Sequence, residues 1–156
     1  GMAAKRVEEI AEALSKGGIR TYNSKDVMSL VWSKLIVNVG INALTALTGI
    51  PNGDLLEHEE TEELLELAVK EAIEVAKVKG IKLINEDPVA HVKEVARLTA
   101  TNKSSMLQDM LNKKKLEVDF ISGAIVREGR EAGVETPVNI TLTNLVKLKE
   151  KMNGVK

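Results

Sequence analysis

Three polar side chains lie at helical spacing within the most apolar stretch of the sequence. Lys34, Asn38 and Asn42 follow one another at intervals of four residues, so on a helix they form one polar stripe. Burying an ammonium group and two carboxamides without partners would cost several kcal/mol. The stripe is therefore either a structural seam between helices or the lining of a cleft for a polar ligand, and its spacing favours neither. The environment of Lys34 should distinguish the seam from the cleft, because lysine is almost never fully buried unless it is paired.

Four further polar residues have ordinary local explanations. Asn52 lies in an Asn-Gly turn signal, and Ser104 and Ser105 are both suited to capping a helix. We predict that Glu117 opens a helix after the lysine run at 113–115, because a carboxylate is favoured at the positive end of the helix dipole. On local grounds none of these residues indicates a binding site.

The composition narrows the classes of function. The chain has 156 residues, a net charge of -1 and no cysteine, which excludes disulfides and thiolate metal sites and gives no basic surface for nucleic acid. His58 and His91 have no ligand-type neighbour at metal spacing, so we predict no metal site. No G-x-G-x-x-G motif follows a strand, and there is no phosphate-binding loop. We expect no membrane-spanning run and no signal peptide, as in a cytoplasmic protein.

Residue types and periodicity predict a mainly α-helical fold. Aromatic residues make up only 2% of the chain, and long stretches are rich in the strong helix formers Ala, Leu, Glu and Lys. The stretch 26–48 is apolar nearly all round and should be a central, buried helix, with Ser24 as its cap and the segment 19–23 extended before it. The other helices are predicted over 3–16, 61–79, 88–96, 104–111, from about 116, and from 137 onward.

The periodicity also predicts which side of each helix faces the core. The inward residues are predicted to be Val7, Ile10, Ala11 and Leu14 in the first helix; Leu64, Ala68, Ala72, Val75 and Ala76 in the third; and Val138, Leu142, Leu145 and Val146 in the last.

Three blocks of the sequence resemble the C-terminal domain of the ketopantoate reductase family. The first is W-S-K-L-I-V-N-V-G-I-N-A-L-T-A-L at 32–47. The second is N-K-S-S-M-L-Q-D at 102–109 with E-V-D-F-I-S-G at 117–123, and the third is G-V-E-T-P-V-N at 133–139. The blocks occur in the family's order, and the resemblance covers the chain from about Asp26 to its C-terminus.

The resemblance implies a particular domain organisation. Members of the family are two-domain oxidoreductases, in which a Rossmann domain binds NADPH and an all-helical domain of the 6-phosphogluconate dehydrogenase C-terminal type closes over the substrate. By this comparison residues 1–24 are the trailing helix and strand of a Rossmann domain, and residues 25–156 are the substrate-binding domain. The glycine-rich phosphate motif is absent, so we expect the chain alone to be inactive as a reductase.

The resemblance also implies roles for the polar residues. Lys34 matches the general acid that protonates the alkoxide formed when hydride reaches the 2-keto carbon. Glu117 matches an acidic residue that orients the substrate hydroxyl and contacts the nicotinamide ribose, and thus serves in catalysis and in cofactor binding. The residues that match substrate contacts are Asn38, Asn42, Asn52, Asn102 and Ser105, the last of them for the substrate carboxylate.

These roles require a specific arrangement. A continuous helix from Ser105 to Glu117 would separate the two residues by roughly 18 Å, so the break at 112–115 must fold them back. We therefore predict that Lys34, Asn38, Ser105 and Glu117 face one cleft.

Two alternatives to a ketopantoate reductase domain remain open. The chain could belong to a reductase of another 2-keto acid, because one sequence does not identify the residues that select the substrate. It could instead be a non-catalytic helical dimerisation module, since the helix over 27–47 is apolar enough to bury an interface. For the ketopantoate reductase domain and for both alternatives alike, we expect a homodimer, with neither a nucleic acid nor a membrane as partner.

Overall fold

The computed structural model describes residues 2–154, with side chains from residue 5 onward. No β-strand occurs between residues 2 and 154, so the predicted all-α fold class is confirmed. In chain order the helices are α1 (Met2–Lys16), α2 (Val27–Thr48), α3 (Glu59–Val78), α4 (Pro88–Leu98), α5 (Ser105–Leu111), α6 (Ser122–Ala132) and α7 (Pro137–Met152), with 3-10 turns at Gly53–Leu56 and Val118–Phe120.

Helix α2 is the centre of the fold and contacts α3, α4, α5 and α7. Gly40 marks the closest approach, because a Cβ atom there would lie 2.7 Å from a methyl group of Val92 and 2.9 Å from one of Val69. Glycine thus lets α3 and α4 come near the backbone of α2. Every residue from 39 to 46 is buried. The prediction of a central, buried helix is confirmed for this half of α2.

The first turns of α2 are different. Val27, Met28, Leu30 and Val31 are each 47–59% exposed, so the prediction that α2 is buried along its whole length is wrong here. The loop after α3 covers only one side of this end, where Ser29 donates a hydrogen bond to the carbonyl oxygen of Lys82.

Helix α2 also has the length and apolar composition needed to cross a membrane, contrary to our expectation that no such run exists. Half of the most apolar stretch of this helix is buried inside the fold. Length and composition are shared by membrane spans and by the core helices of globular domains, so they do not distinguish the two here.

Local signals place most helix ends correctly. Asp87 caps α4 by accepting a hydrogen bond from the amide of Ala90 at 2.9 Å, with Pro88 as the first helical residue. The cap of α2 is Asp26 and not Ser24, because Asp26 is the residue placed to accept from the amide of Ser29, at 3.0 Å. Ser24 instead accepts from the amide of Asp26.

The helical structure is interrupted at the lysine run, as predicted. Helix α5 ends at Leu111, and Lys113 adopts a left-handed backbone conformation with φ of 54°. The next α-helix, however, begins at Ser122 and not near Leu116. Residues Val118–Phe120 form a 3-10 turn instead, so Glu117 precedes that turn and does not open a long helix.

Outside α1, two residues that were predicted to face inward are exposed. Leu64 is 37% exposed, and Leu65 occupies the buried position in α3. Leu145 is 45% exposed. Both side chains lie at the margin of their helix's apolar face, where they line a shallow groove between α3 and α7.

Helix α1 forms as predicted, but its apolar face is not covered. Val7, Ile10 and Leu14 are 40–52% exposed, and residues 19–24 have no regular secondary structure. The predicted extended segment is thus not paired in a sheet within the described part of the chain.

An ion-pair network joins α3 to α4. Lys93 of α4 donates to Glu62 and Glu66 of α3, each at 2.6 Å, and Lys70 donates to Glu66 at 2.6 Å. The hydrogen bonds from Lys70 and then Lys93 lower the pKa of Glu66 from 4.5 to about 2. The network therefore stabilises the fold fully above pH 4.5, and this contribution is lost as the pH falls towards 2.

We predict that Glu66→Gln lowers the melting temperature at pH 7, and that its difference from the parent protein disappears between pH 4.5 and pH 2. Thermal unfolding followed by circular dichroism across this range tests the prediction. The exposed Glu63 of α3 supplies the control, since Glu63→Gln removes no ion pair and should change little at any pH. A deficit of equal size at pH 7 and pH 2 would contradict the argument.

Candidate functional site

The polar stripe of α2 runs from the protein surface into its core. Lys34 is exposed, Asn38 is half-buried and Asn42 is only 4% exposed. Successive members are roughly 6 Å apart along the helix axis. No acidic side chain among residues 5–154 forms an ion pair with Lys34. Lys34 is therefore not part of a buried seam, and its ammonium group is accessible to a ligand.

Asn42 holds a polar group that lacks a protein partner. Its Nδ2 atom is buried and makes no hydrogen bond, which costs about 1–3 kcal/mol for a buried donor. A ligand oxygen at this point would satisfy the donor. An amide aligned with an accessible ammonium group is the arrangement expected of a site that recognises a polar, oxygen-rich molecule.

The start of α5 lies beside the same face of α2. Thr45, one turn beyond Asn42, shares a hydrogen bond of 2.7 Å with Ser104 through their hydroxyl groups. Ser104 also caps α5 by accepting from the amide of Leu107 at 3.1 Å. The capping prediction for Ser104 is thus confirmed, and the adjacent Ser105 is the first residue of α5, with an exposed side chain.

Asn52 and Asn102 are joined through the backbone. The amide of Asn52 donates to the carbonyl oxygen of Asn102 at 2.9 Å, and its side-chain Nδ2 donates to Thr99 at 3.0 Å. Asn52 is only 8% exposed, and its Oδ1 atom has no hydrogen-bond partner. Asn52 is thus more than a turn residue, because its side chain connects the turn after α2 to the end of α4.

Gly53 makes this connection possible. Its amide donates to the carbonyl oxygen of Ala100 at 3.0 Å. A Cβ atom at position 53 would lie 2.5 Å from the Cβ atom of Ala100 and 2.7 Å from its Cα atom. The two backbone segments can meet only because residue 53 has no side chain.

Glu117 is exposed, and a hydrogen bond holds the backbone on either side of it. Before it, the amide of Leu116 donates to the carboxylate of Glu150 at 2.7 Å. After it, the amide of Phe120 donates to the carbonyl oxygen of Glu117 at 2.9 Å. Glu150 was not among the residues predicted from sequence, although it continues the four-residue spacing of the buried Leu142 and Val146.

These contacts bring together some of the candidate residues. They join the Asn42 end of the stripe to the start of α5, and Asn52 to Asn102. No hydrogen bond within residues 5–154 connects Lys34 or Glu117 to either pair. The single cleft for Lys34, Asn38, Ser105 and Glu117 therefore stays a prediction.

A comparison with protein-family models identifies the family. Residues 26–150 match the family described as "Ketopantoate reductase PanE/ApbA C terminal". The chain belongs to this family. The match includes every candidate residue from Lys34 to Glu117 and excludes α1.

The names of curated relatives are consistent with this family assignment. A 2-dehydropantoate 2-reductase of Halobacterium salinarum is 40% identical over 94% of this chain and 48% of its own length. One from Archaeoglobus fulgidus is 37% identical over 94% of this chain and 49% of its own length. The chain thus spans about half the length of these curated relatives.

Solved structures give the same result for the fold. A PanE/ApbA family ketopantoate reductase from Ralstonia eutropha matches with a TM-score of 0.90 and 32% identity, over 94% of this chain and 49% of that one. A D-mandelate dehydrogenase, solved with NADH and anilino(oxo)acetate, matches with a TM-score of 0.89 and 30% identity, over 97% of this chain and 50% of that one.

We predict that Gly53→Ala destabilises the fold by about 1–3 kcal/mol, the usual effect of forcing a methyl group into a packed region. Chemical denaturation provides the measurement. Asp54→Ala, at the exposed neighbouring position, is the matched control and should have little effect. Equal stability of the two variants would show that the turns at 53 and 100 are not held in close contact.

Proposed function

We propose that this chain is the substrate-binding domain of an NADPH-dependent 2-dehydropantoate 2-reductase, which reduces ketopantoate to pantoate on the route to pantothenate and coenzyme A. The observation that carries the proposal is the unpartnered Nδ2 atom of Asn42 on the stripe that begins at Lys34. The relatives named 2-dehydropantoate 2-reductase support the assignment of substrate and reaction.

Lys34 is the general acid in this proposal. A bound nicotinamide supplies the hydride to the keto carbon. The Lys34 ammonium group donates a proton to the carbonyl oxygen as negative charge develops there. Its exposure and its lack of an ion-pair partner among residues 5–154 support this role, because the group is not neutralised by a fixed carboxylate.

The neutral polar groups bind the rest of the substrate. Asn38 and Asn42 hold substrate oxygens through their amides, and Ser105 binds the carboxylate. Asn52 and Asn102 form a further contact region, where the unpartnered Oδ1 atom of Asn52 can accept from a hydroxyl group. Neutral groups suit this purpose, because they bind a hydroxyl and a carboxylate without pairing with the ammonium group.

Glu117 is the contact that this domain offers to the cofactor. Its exposed carboxylate can accept hydrogen bonds from a substrate hydroxyl and from the nicotinamide ribose. In our proposal residues 1–24 belong to the dinucleotide-binding domain and residues 25–156 to the substrate domain. The chain alone should then lack reductase activity.

A related 2-keto acid reductase is the second candidate. The D-mandelate dehydrogenase matches nearly as well in structure as the ketopantoate reductase. The same lysine and amides would serve any 2-keto acid, and the substrate would be selected by residues that contact its remaining side chain. Comparing kcat/KM for ketopantoate and for the keto acid of mandelate, in the full-length protein, separates the two candidates.

We further propose that the whole protein is a cytoplasmic homodimer. The exposed apolar residues Val27 and Val31 of α2, and Leu145 and Leu148 of α7, support burial against another surface. Sedimentation of the full-length protein tests the oligomeric state, and a monomer at micromolar concentration would contradict this part of the proposal.

We predict that Lys34→Met in the full-length protein lowers kcat about 10²–10⁴-fold, as expected for loss of a general acid. Steady-state NADPH oxidation with ketopantoate is the measurement. Lys77→Met is the control. It removes an exposed lysine in the last turn of α3, outside the candidate site, and should leave kcat unchanged. Unaltered turnover in the Lys34 variant would end the proposed mechanism.

Asn42 allows a test that separates function from structure. We predict that Asn42→Leu raises the KM for ketopantoate at least about tenfold, the effect of losing a hydrogen bond worth about 1.4 kcal/mol or more. The same variant should keep or gain thermal stability, because leucine of similar volume removes an unsatisfied buried donor. A clear loss of stability with an unchanged KM would instead show that Asn42 is part of a structural seam.

A further inference from the structure

Glu150 is the one charged residue within residues 5–154 that is buried, with 5% of its surface exposed. It lies in the last turns of α7, where its Oε1 atom accepts from the amide of Leu116 at 2.7 Å. Its Oε2 atom accepts from the ammonium group of Lys115 at 3.1 Å. Burying a carboxylate is costly unless it is paired and hydrogen-bonded, and here both oxygens have partners.

The bond to Leu116 fixes the backbone directly before Glu117. Leu116 is itself buried, at 4% exposure, and its amide is paired with the Glu150 carboxylate in a buried hydrogen bond. On the other side of Glu117, the 3-10 turn at Val118–Phe120 holds its carbonyl oxygen. Glu117 is therefore held between a tertiary hydrogen bond and a local turn, although its own side chain is exposed.

The residue before Glu150 connects the same turn of α7 to α2. The Lys149 ammonium group donates to the carbonyl oxygen of Leu47, in the last turn of the helix that carries Lys34 and Asn42. A lysine at this place satisfies a carbonyl group that the helix end leaves free. One turn of α7 thus forms hydrogen bonds both to α2, which carries the polar stripe, and to the loop that contains Glu117.

We propose that Glu150 is a positioning residue, which sets the place of Glu117 relative to the polar stripe of α2. The inference rests on the proposed function, in which Glu117 contacts substrate and cofactor. Glu150 does not touch either of them. It acts by accepting a hydrogen bond from the Leu116 amide, while the adjacent Lys149 donates to the carbonyl oxygen of Leu47 in α2. These two hydrogen bonds form a junction between the loop of Glu117 and α2.

The test uses the full-length reductase with three changes at or near this position. Glu150→Leu removes both hydrogen bonds, Glu150→Gln keeps an amide oxygen for the Leu116 amide, and Lys115→Met removes only the outer partner. We expect Glu150→Leu to lower kcat/KM about 10²-fold, the effect of displacing a catalytic contact by about 1 Å. Glu150→Gln should recover most of this loss. Lys115→Met should change kcat/KM less than about threefold, because the Lys115 side chain is itself exposed and the hydrogen bond between Glu150 and the Leu116 amide remains.

Coupling to Glu117 separates positioning from simple destabilisation. If Glu150 acts through Glu117, then adding Glu150→Leu to Glu117→Ala should cause little further loss of kcat/KM. Glu71→Leu is the matched control, because Glu71 of α3 accepts from the amides of Val138 and Asn139 at 2.8 and 2.9 Å, at the other end of α7. Its effect should be independent of Glu117.

The results distinguish this inference from the function on which it rests. If Glu117→Ala lowers kcat/KM but Glu150→Leu does not, or if the two losses are fully additive, then positioning by Glu150 is wrong while the role of Glu117 stands. Normal kinetics for Glu117→Ala would overturn the role of Glu117 and this inference with it. Should Glu150→Leu fail to fold, Glu150→Asp takes its place, because the shorter side chain keeps the charge but withdraws the carboxylate from the Leu116 amide. An additive loss with Glu117→Ala, or no loss in Glu150→Asp, overturns the inference, and a non-additive loss supports it.

Discussion

The close approach of three helices at Gly40 is the constraint from which the rest of the structure follows. With Val69 and Val92 packed against the backbone of α2, this helix is enclosed from residue 39 to residue 46, and its earlier turns extend towards the surface. A stripe of polar residues on such a helix must pass from solvent into the core. That geometry gives an accessible ammonium group at Lys34 and a desolvated amide at Asn42, where a hydrogen bond to a ligand is not weakened by competition with water.

Buried polar atoms without partners do not by themselves identify a binding site. Residues 5–154 contain such atoms at Ser122, Thr143 and Asn139 as well as at Asn42 and Asn52. Each carries a cost that the fold tolerates. Asn42 is distinguished by its alignment with Lys34 on one helix face, and Asn52 by the turn that joins it to Asn102. It is the neighbourhood of chemically suitable groups that supports a functional interpretation.

Local sequence predicted the features that depend on local chemistry, and failed where distant parts of the chain decide. Helix α2 ends at Thr48 and α4 begins at Pro88 as predicted, because Gly49, Asp87 and Pro88 mark these ends through their own side chains and backbone preferences. The start of α6 was missed, because a 3-10 turn at Val118–Phe120 intervenes. Glu150 was missed for a similar reason. In the sequence it is one of many glutamates near a helix end, and only the folded chain shows that its partner lies 34 residues away.

The last turns of α7 hold together two separate segments that carry Lys34 and Glu117, the residues proposed to be catalytic. Neither Lys34 nor Glu117 makes a side-chain hydrogen bond to another candidate residue within the described chain, so their relative position must be set by the backbone. Lys149 bonds a carbonyl of α2 and Glu150 bonds an amide of the loop before Glu117. Opposite charges on adjacent residues thus satisfy a free carbonyl on one side and a free amide on the other. Such a junction leaves both functional side chains unpaired and available to a ligand, while it fixes the two backbones that carry them.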